Sequence, residues 1–184
     1  YKKDYKTKII GLSGGQGAGK STITAILKFI LKKKYGLNLC VFSIDDFYKT
    51  KSERKRISKK FHPLFLTRGV PGTHDIKFIN RIITKLKKKK FKTVLIPKFD
   101  KSIDDRHKTN KWDKIKRQPD VILFEGWCVG AKNQKINDLK KSLNLIEKQY
   151  DPNLHWRKKV NNHLKGQYKK LFNKIDKLVY LKAP

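Results

Sequence analysis

The sequence predicts an α/β fold in which a mostly parallel β-sheet is flanked by helices. Two observations predict it: short apolar runs typical of buried strands recur along the chain, and amphipathic helical patterns stand between them. This alternation favours parallel pairing, because two parallel strands need a long crossover that is usually a helix. The predicted strands span residues 8–12, 38–44, 93–96, 120–125 and 177–182.

Three stripes of apolar residues at helical spacing predict the main helices. They comprise Ile23, Ile26, Leu27, Ile30 and Leu31; Ile76, Ile79, Ile82, Ile83 and Leu86; and Val160, Leu164, Tyr168, Leu171, Phe172 and Ile175. We interpret the second and third stripes as core packing. Residues 49–74 and 98–119 are rich in Pro, Gly and charge, and we predict that both are irregular loops. Each follows a predicted strand, at the end where open parallel sheets bind ligands.

A glycine-rich segment between the first strand and the first helix matches the phosphate-loop pattern G-x-x-x-x-G-K-[ST] over residues 14–21. In such a loop, backbone N–H groups curl around phosphates and the helix N-terminus adds its positive dipole end. Lys20 is predicted to reach the β- and γ-phosphates, and the Ser21 hydroxyl to hold Mg²⁺. The motif therefore predicts a three-layer P-loop NTPase fold. The nucleotide-binding residues are Gly14, Gly15, Gln16, Gly17, Ala18, Gly19, Lys20, Ser21 and Thr22.

Two further strands end in carboxylates. Asp45 and Asp46 follow the second strand and precede Tyr48, and we predict that Asp45 deprotonates an acceptor hydroxyl. The alternative is that both acids are solvated residues at the start of a loop. Glu125 ends the strand at 120–125, next to Gly126, and is predicted to lie near Mg²⁺.

Two loops carry further candidate substrate residues. Residues 68–75 place Arg68, His74 and Asp75 in a Gly/Pro frame, and residues 97–106 contain Asp100, Lys101 and Arg106. Arg and Lys there could hold a substrate carboxylate or phosphate. The alternatives are that His74, like most isolated histidines in such loops, is a turn or N-cap neighbour, and that Asp75 caps the following helix.

Composition restricts the remaining classes. The chain has 47 Lys plus Arg against 15 Asp plus Glu, a net charge of +32, but 40 of the basic residues are Lys. Because the Lys are dispersed and lack the bidentate geometry of Arg, we expect no specific nucleic-acid binding. No apolar run is long enough to span a membrane and no signal peptide is visible. Cys40 and Cys128 are interpreted as buried thiols of a cytoplasmic protein. The five histidines show no metal-ligand spacing.

Taken in order, these segments resemble the P-loop kinases of the phosphoribulokinase, uridine kinase and pantothenate kinase group, and most of all the D-glycerate 3-kinase family. The resemblance rests on residues 13–22, on Ser43–Tyr48, and on the segments RGVPGTHD (68–75), PKFDKS (97–102) and VILFEGWCVG (121–130), with Val160, Asn161, Leu164 and Tyr168. It covers nearly the whole chain. The family continues beyond Pro184 into a helical lid, so we expect a single kinase domain over residues 1–184 that is truncated at its C-terminus.

The resemblance implies an ATP-dependent kinase that phosphorylates a small sugar acid, with ATP and Mg²⁺ as cofactors. The acceptor that it implies is D-glycerate. Asp45 matches the general base, Glu125 the magnesium-side acid, and Lys20 and Ser21 the phosphate and Mg²⁺ ligands. The substrate-loop positions are matched by Tyr48, Arg68, His74, Asp75, Asp100, Lys101 and Arg106. Two alternatives stay open: a nucleoside or pantothenate kinase, and, from another class, a basic nucleic-acid-binding protein with a P-loop.

Overall fold

A computed structural model describes residues 6–182 of the chain. The strands in this range are β1 (Lys8–Gly14), β2 (Leu39–Ser43), β3 (Val94–Ile96), β4 (Phe99–Asp100), β5 (Asp105–Arg106), β6 (Asp113–Ile115), β7 (Val121–Gly126) and β8 (Lys177–Leu181). The α-helices are α1 (Lys20–Tyr35), α2 (Lys51–Lys60), α3 (Ile76–Leu86), α4 (Ile136–Leu139), α5 (Leu145–Tyr150), α6 (His155–His163) and α7 (Lys169–Phe172). A π-helical turn, Leu164–Tyr168, joins α6 to α7.

The central sheet has four parallel strands in the order β2–β7–β1–β8, which confirms the predicted α/β fold. Neighbouring strands bring apolar residues together on one face, where Ile9 pairs with Ile122 and Phe42 with Phe124. That face belongs to the main hydrophobic core, to which α3 contributes all five residues of its predicted stripe. Helix α1 lies against β1, β2 and β7. The carboxyl ends of β1, β2 and β7 therefore meet at one edge of a rigid sheet.

The prediction of an irregular segment over residues 49–74 is wrong, because this segment contains helix α2 and a 3₁₀ turn at Pro63–Phe65. A capping box begins α2: the Thr50 hydroxyl accepts from the Glu53 N–H, and the Glu53 carboxylate accepts from the Thr50 N–H. The helix has no apolar stripe, since its one buried residue is Arg54. An analysis based on apolar periodicity therefore missed it.

The segment 98–119 also differs from the prediction. It contains the antiparallel pair β4–β5 and strand β6. Strand β3, which we predicted as part of the parallel sheet, pairs antiparallel with β6 instead. Apolar alternation identifies a strand but not its partner, so the sequence did not distinguish these two sheets.

Other expectations have mixed outcomes. Within residues 6–182, no helix is both long enough and apolar enough to cross a membrane. Cys40 and Cys128 are both free thiols and both buried, as predicted. Burial raises the pKa of each thiol to about 12. The stripe of α1 is less well covered, because Ile26 and Ile30 remain 52% and 41% exposed.

Candidate active site

The glycine-rich loop forms an open cradle between β1 and α1. Gly17 and Gly19 both have φ of 78°, in the left-handed region that favours glycine. No heavy atom lies within 4 Å of the position a Cβ would take at Gly15, Gly17 or Gly19. Lys20 begins α1, whose first turn contains no acid. Its ammonium group donates to the carbonyl oxygens of Gly14 and Gly15, at 2.9 and 2.7 Å. The cradle and its cation fit the phosphates of a nucleotide.

A cleft of about 1300 Å³ extends from this loop across the carboxyl ends of β2 and β7. It brings together many of the residues predicted from the sequence. Those lining it are Gly15, Gln16, Gly17, Lys20, Ser21, Asp45, Tyr48, Arg68, Lys101 and Glu125. Its volume is large enough for a nucleotide and a small acceptor together.

Asp45 lies in this cleft, in the 3₁₀ turn Ile44–Phe47 that follows β2. One carboxylate oxygen accepts a hydrogen bond from the Tyr48 hydroxyl at 3.0 Å. The other accepts from the Lys101 ammonium group at 3.1 Å. Tyr48 is almost fully buried, and burial followed by the nearby Asp45 charge raises the pKa of its phenol. The phenol therefore remains a hydrogen-bond donor to the carboxylate.

Asp46 has a structural role beside Asp45. Its carboxylate accepts from the Ser43 N–H and closes a capping box at the start of the 3₁₀ turn. It also pairs with Lys98, whose ammonium group lies 3.4 Å from Asp46 and 3.1 Å from Asp113. Burial raises the pKa of the Asp46 carboxyl, against the opposing effect of the Lys98 charge. These contacts connect the end of β2 to the β3–β6 pair.

Glu125 and Ser21 are two oxygen donors of the cleft that could bind a magnesium ion. Glu125 lies on β7 in register with Leu12 of β1 and Ser43 of β2, so it is central at the ligand-binding edge. Both side chains line the cleft. No group of three or more His, Cys, Asp or Glu side chains with metal-binding geometry occurs among residues 6–182. This donor set suits Mg²⁺, which commonly takes only one or two protein ligands alongside phosphate oxygens and water.

An ion-pair network that includes the buried Arg54 holds Arg68 at the cleft. Asp104 pairs with both Arg54 and Arg68. Arg54 is fully buried and also donates to the carbonyl oxygens of Lys49, Leu66 and Asp104, at 2.6, 3.1 and 2.9 Å. Arg68 keeps 30% of its side chain exposed. The Arg54 guanidinium group is therefore structural, whereas Arg68 lines the cleft.

Four other predicted substrate residues are not among those lining this cleft in the described chain. His74 is 1% exposed and stacks on the Tyr48 ring at 4.4 Å between centroids. Asp75 caps α3 by accepting from the Phe78 N–H. Asp100 accepts from the backbone and hydroxyl of Ser102. Arg106 donates to the Tyr48 carbonyl oxygen at 2.8 Å. Two of the four, His74 and Arg106, contact Tyr48, which itself lines the cleft.

The structure also adds residues to which the sequence analysis gave no role. Arg54 and Asp104 form the network around Arg68. Trp127 lines the cleft and donates from its indole N–H to the Gly69 carbonyl oxygen at 3.3 Å. The capping box Thr50–Glu53 was a usable signal for α2, and so for Arg54. Nothing in the sequence pattern indicated which acid would pair with it.

A P-loop after β1, with one acid at the end of the adjacent strand β7 and another after β2 on the far side of β7, is the arrangement expected of a P-loop kinase. The model of the phosphoribulokinase / uridine kinase family matches residues 9–166, and the chain belongs to this family.

Individual relatives agree with this assignment. The chain is 35% identical over 185 residues to an uncharacterized kinase of Schizosaccharomyces pombe, covering 95% of this chain and 64% of that protein. It is 30% identical over 187 residues to a chloroplastic D-glycerate 3-kinase of Arabidopsis thaliana, covering 97% of this chain and 38% of the relative. A solved D-glycerate 3-kinase from Cryptococcus neoformans superposes with a TM-score of 0.80 at 28% identity, covering 95% of this chain and 63% of that one. The chain thus spans less than two thirds of each of these proteins.

Proposed function

We propose that this kinase transfers the γ-phosphoryl group of MgATP to a hydroxyl of a small sugar acid, with D-glycerate as the acceptor. One observation carries the proposal: Arg68 and Lys101 line the same cleft as Asp45 and the P-loop. A carboxylate acceptor bound there meets fixed cations and a carboxylate base together. Two of the similar proteins named above are D-glycerate 3-kinases, which supports this choice of acceptor.

The donor side of the cleft would hold the nucleotide. Backbone N–H groups of the glycine-rich loop bind the phosphates, and the Lys20 ammonium group exchanges its carbonyl partners for phosphate oxygens. Ser21 and Glu125 would hold the magnesium ion, which neutralises charge on the phosphates when it is bound.

Asp45 would take the proton of the acceptor hydroxyl. The Tyr48 hydroxyl fixes one of its oxygens, which leaves the Lys101 side for the acceptor. Lys101 is 62% exposed, so it can exchange its contact with Asp45 for one with the acceptor carboxylate at little cost. Positioning and charge neutralisation are the main contributions of kinases to phosphoryl transfer, and this cleft supplies both.

Arg68 is the proposed anchor of the acceptor carboxylate. Asp104 holds its guanidinium group in place, and the unpaired part of that planar group can still donate to a carboxylate. A nucleoside acceptor is uncharged and offers no carboxylate to the part of the Arg68 guanidinium group that Asp104 does not engage, so the site favours an acid.

We also propose a cytoplasmic location, since both cysteines are free thiols.

The experiment is MgATP-dependent ADP release with D-glycerate, compared with other sugar acids, pantothenate and a set of nucleosides. We expect stimulation by D-glycerate. Replacing Arg68 with Gln removes a charge-assisted hydrogen bond, which predicts an increase in KM for D-glycerate of roughly 10- to 100-fold. The matched control is Arg81→Gln, because Arg81 is an exposed arginine on α3, away from the cleft.

Two results would contradict the proposal. One is stimulation by a nucleoside or pantothenate in preference to any sugar acid. The other is the absence of stimulation by every acceptor while MgATP still binds.

A further inference from the structure

A column of three buried aromatic side chains lies behind Asp45. It runs from Tyr168, at the end of the π-helical turn, through His74 to Tyr48, and ends on the Asp45 carboxylate. Only Tyr48 among these three lines the cleft. The other two are therefore separated from any acceptor or nucleotide by a layer of protein.

Tyr168 is the rigid base of the column. Its hydroxyl accepts from the Gly72 N–H at 2.9 Å and lies 2.7 Å from Nδ1 of His74. Because burial raises the pKa of this phenol well above its ordinary value, the hydroxyl keeps its proton. Because the Gly72 N–H already donates to the oxygen, the Tyr168 hydroxyl can donate its own proton to Nδ1 of His74.

His74 connects Tyr168 to Tyr48, because its ring stacks on the Tyr48 ring. Burial lowers the pKa of its imidazole to about 3, so the ring is neutral. It lies parallel to the Tyr48 ring, with 4.4 Å between centroids and 21° between planes. Two backbone hydrogen bonds, from Lys49 N–H to Thr73 and from Asp75 N–H to Phe47, hold the two loops together beside the stacked rings.

The π-helical turn that ends at Tyr168 helps to place this residue at the base of the column. Residues 164–168 form a π-helical turn within an otherwise α-helical segment, a costly arrangement that is common at functional sites. Tyr168 is fully buried at the end of that turn and directs its hydroxyl to the 68–75 loop instead of leaving it in the apolar core.

We infer that Tyr168 and His74 are positioning residues for phosphoryl transfer: they fix the Tyr48 ring, and through its hydroxyl they orient the Asp45 carboxylate toward the acceptor. The inference rests on the proposed role of Asp45 as the base. The column thereby connects the helical segment after β7 to the reacting edge of the sheet, although neither residue contacts substrate.

The test is a double-mutant cycle with Tyr48→Phe and Tyr168→Phe. Both changes keep the ring and remove only the hydroxyl. We expect Tyr168→Phe to lower kcat by roughly tenfold, as a misplaced reacting group does, while the KM for ATP changes by less than about twofold. In the Tyr48→Phe background the same change should have almost no further effect, because the column acts through Tyr48. Tyr150→Phe, which removes an exposed hydroxyl from a residue that is 62% exposed, is the matched control.

A second readout does not depend on turnover. In protein labelled with ¹³C at aspartate carboxyls, the Asp45 resonance is assigned by its loss in Asp45→Asn. We expect Tyr168→Phe to move this resonance in the same direction as Tyr48→Phe, and Tyr150→Phe to leave it in place. His74→Phe retains a ring against Tyr48 without Nδ1, so it serves if Tyr168→Phe does not fold. Folding is checked by the MgATP affinity of each variant.

An unmoved Asp45 resonance in folded Tyr168→Phe, or effects on kcat that add independently to those of Tyr48→Phe, would overturn the inference. A merely structural Tyr168 would give that additive pattern. The outcome is separable from the proposed function: if no acceptor is phosphorylated but the resonance moves as expected, the column stands and the assigned reaction does not. If an acceptor is phosphorylated and the resonance does not move, the assigned reaction stands and the inference about the column does not.

Discussion

Replacing Arg54 with methionine tests whether the ion-pair network of Arg54, Asp104 and Arg68 stabilises the fold. Methionine has an apolar side chain similar in length to the arginine stem, so the change removes the guanidinium group, which is fully buried. Three carbonyl oxygens then lose a donor, and Asp104 loses one of its two cations. Lost hydrogen bonds cost about 1 kcal/mol each, and breaking a buried pair costs about 3–5 kcal/mol. Since Asp104 is 32% exposed and keeps Arg68, loss of the ion pair adds little to the three lost hydrogen bonds, and we expect a total of about 3–4 kcal/mol.

The assay is urea and thermal unfolding of the wild type and Arg54→Met. For a chain of this size, such a loss corresponds to a decrease in Tm of roughly 10 °C. Arg56→Met is the matched control, because Arg56 is an exposed arginine on the same helix and should stay within about 0.5 kcal/mol of the wild type. Equal stability of the two variants would refute the network. Arg54→Met should also raise KM for the acceptor, because Asp104 would no longer be held by Arg54 and would position Arg68 less well.

Three other predictions concern the P-loop, a buried histidine and the thiols. Lys20→Ala should abolish transfer and weaken MgATP binding strongly, whereas Asp45→Asn should abolish transfer with nearly unchanged MgATP affinity; normal turnover by Asp45→Asn would exclude it as the base. The pKa of His74 is about 3 in the folded protein against 6.5 in an unfolded chain, so the unfolded state binds more protons between these values. The free energy of unfolding should therefore fall as the pH is lowered from 6.5, by up to about 1.4 kcal/mol per pH unit, and urea titrations at pH 7 and 5 should show a smaller decrease in His74→Phe. Cys40 and Cys128 should react with a thiol reagent only after unfolding, because both are buried and the pKa of each is about 12; rapid reaction of the native protein would contradict their burial.

The sequence predicted those parts of the fold that depend on local pattern. Five strands were located from apolar runs, and α3 from a stripe whose residues are all buried. The P-loop needed no tertiary information, because its glycines, Lys20 and Ser21 are adjacent in the chain. What the pattern missed is α2, a charged helix that is recognisable from its capping box and not from apolar periodicity.

The rest of the site depends on tertiary contacts between distant segments. Arg54 and Asp104 are 50 residues apart, and His74 and Tyr168 are 94 apart. A single sequence does not indicate which polar side chains will pair across such separations. For the same reason, His74 was predicted at the substrate, whereas the structure places it in the layer behind Tyr48. The sequence identified the types of residue near the site, but it did not indicate how deeply each of them is buried.

The most direct test of the proposed reaction is the fate of the γ-phosphoryl group. The protein is incubated with ATP labelled at the γ-phosphate, Mg²⁺ and D-glycerate, and the labelled products are separated and identified. The proposed reaction predicts that label moves from ATP to glycerate, and that Asp45→Asn stops this movement while ATP remains bound. Label found only in inorganic phosphate, or on a nucleoside and not on glycerate, would contradict it.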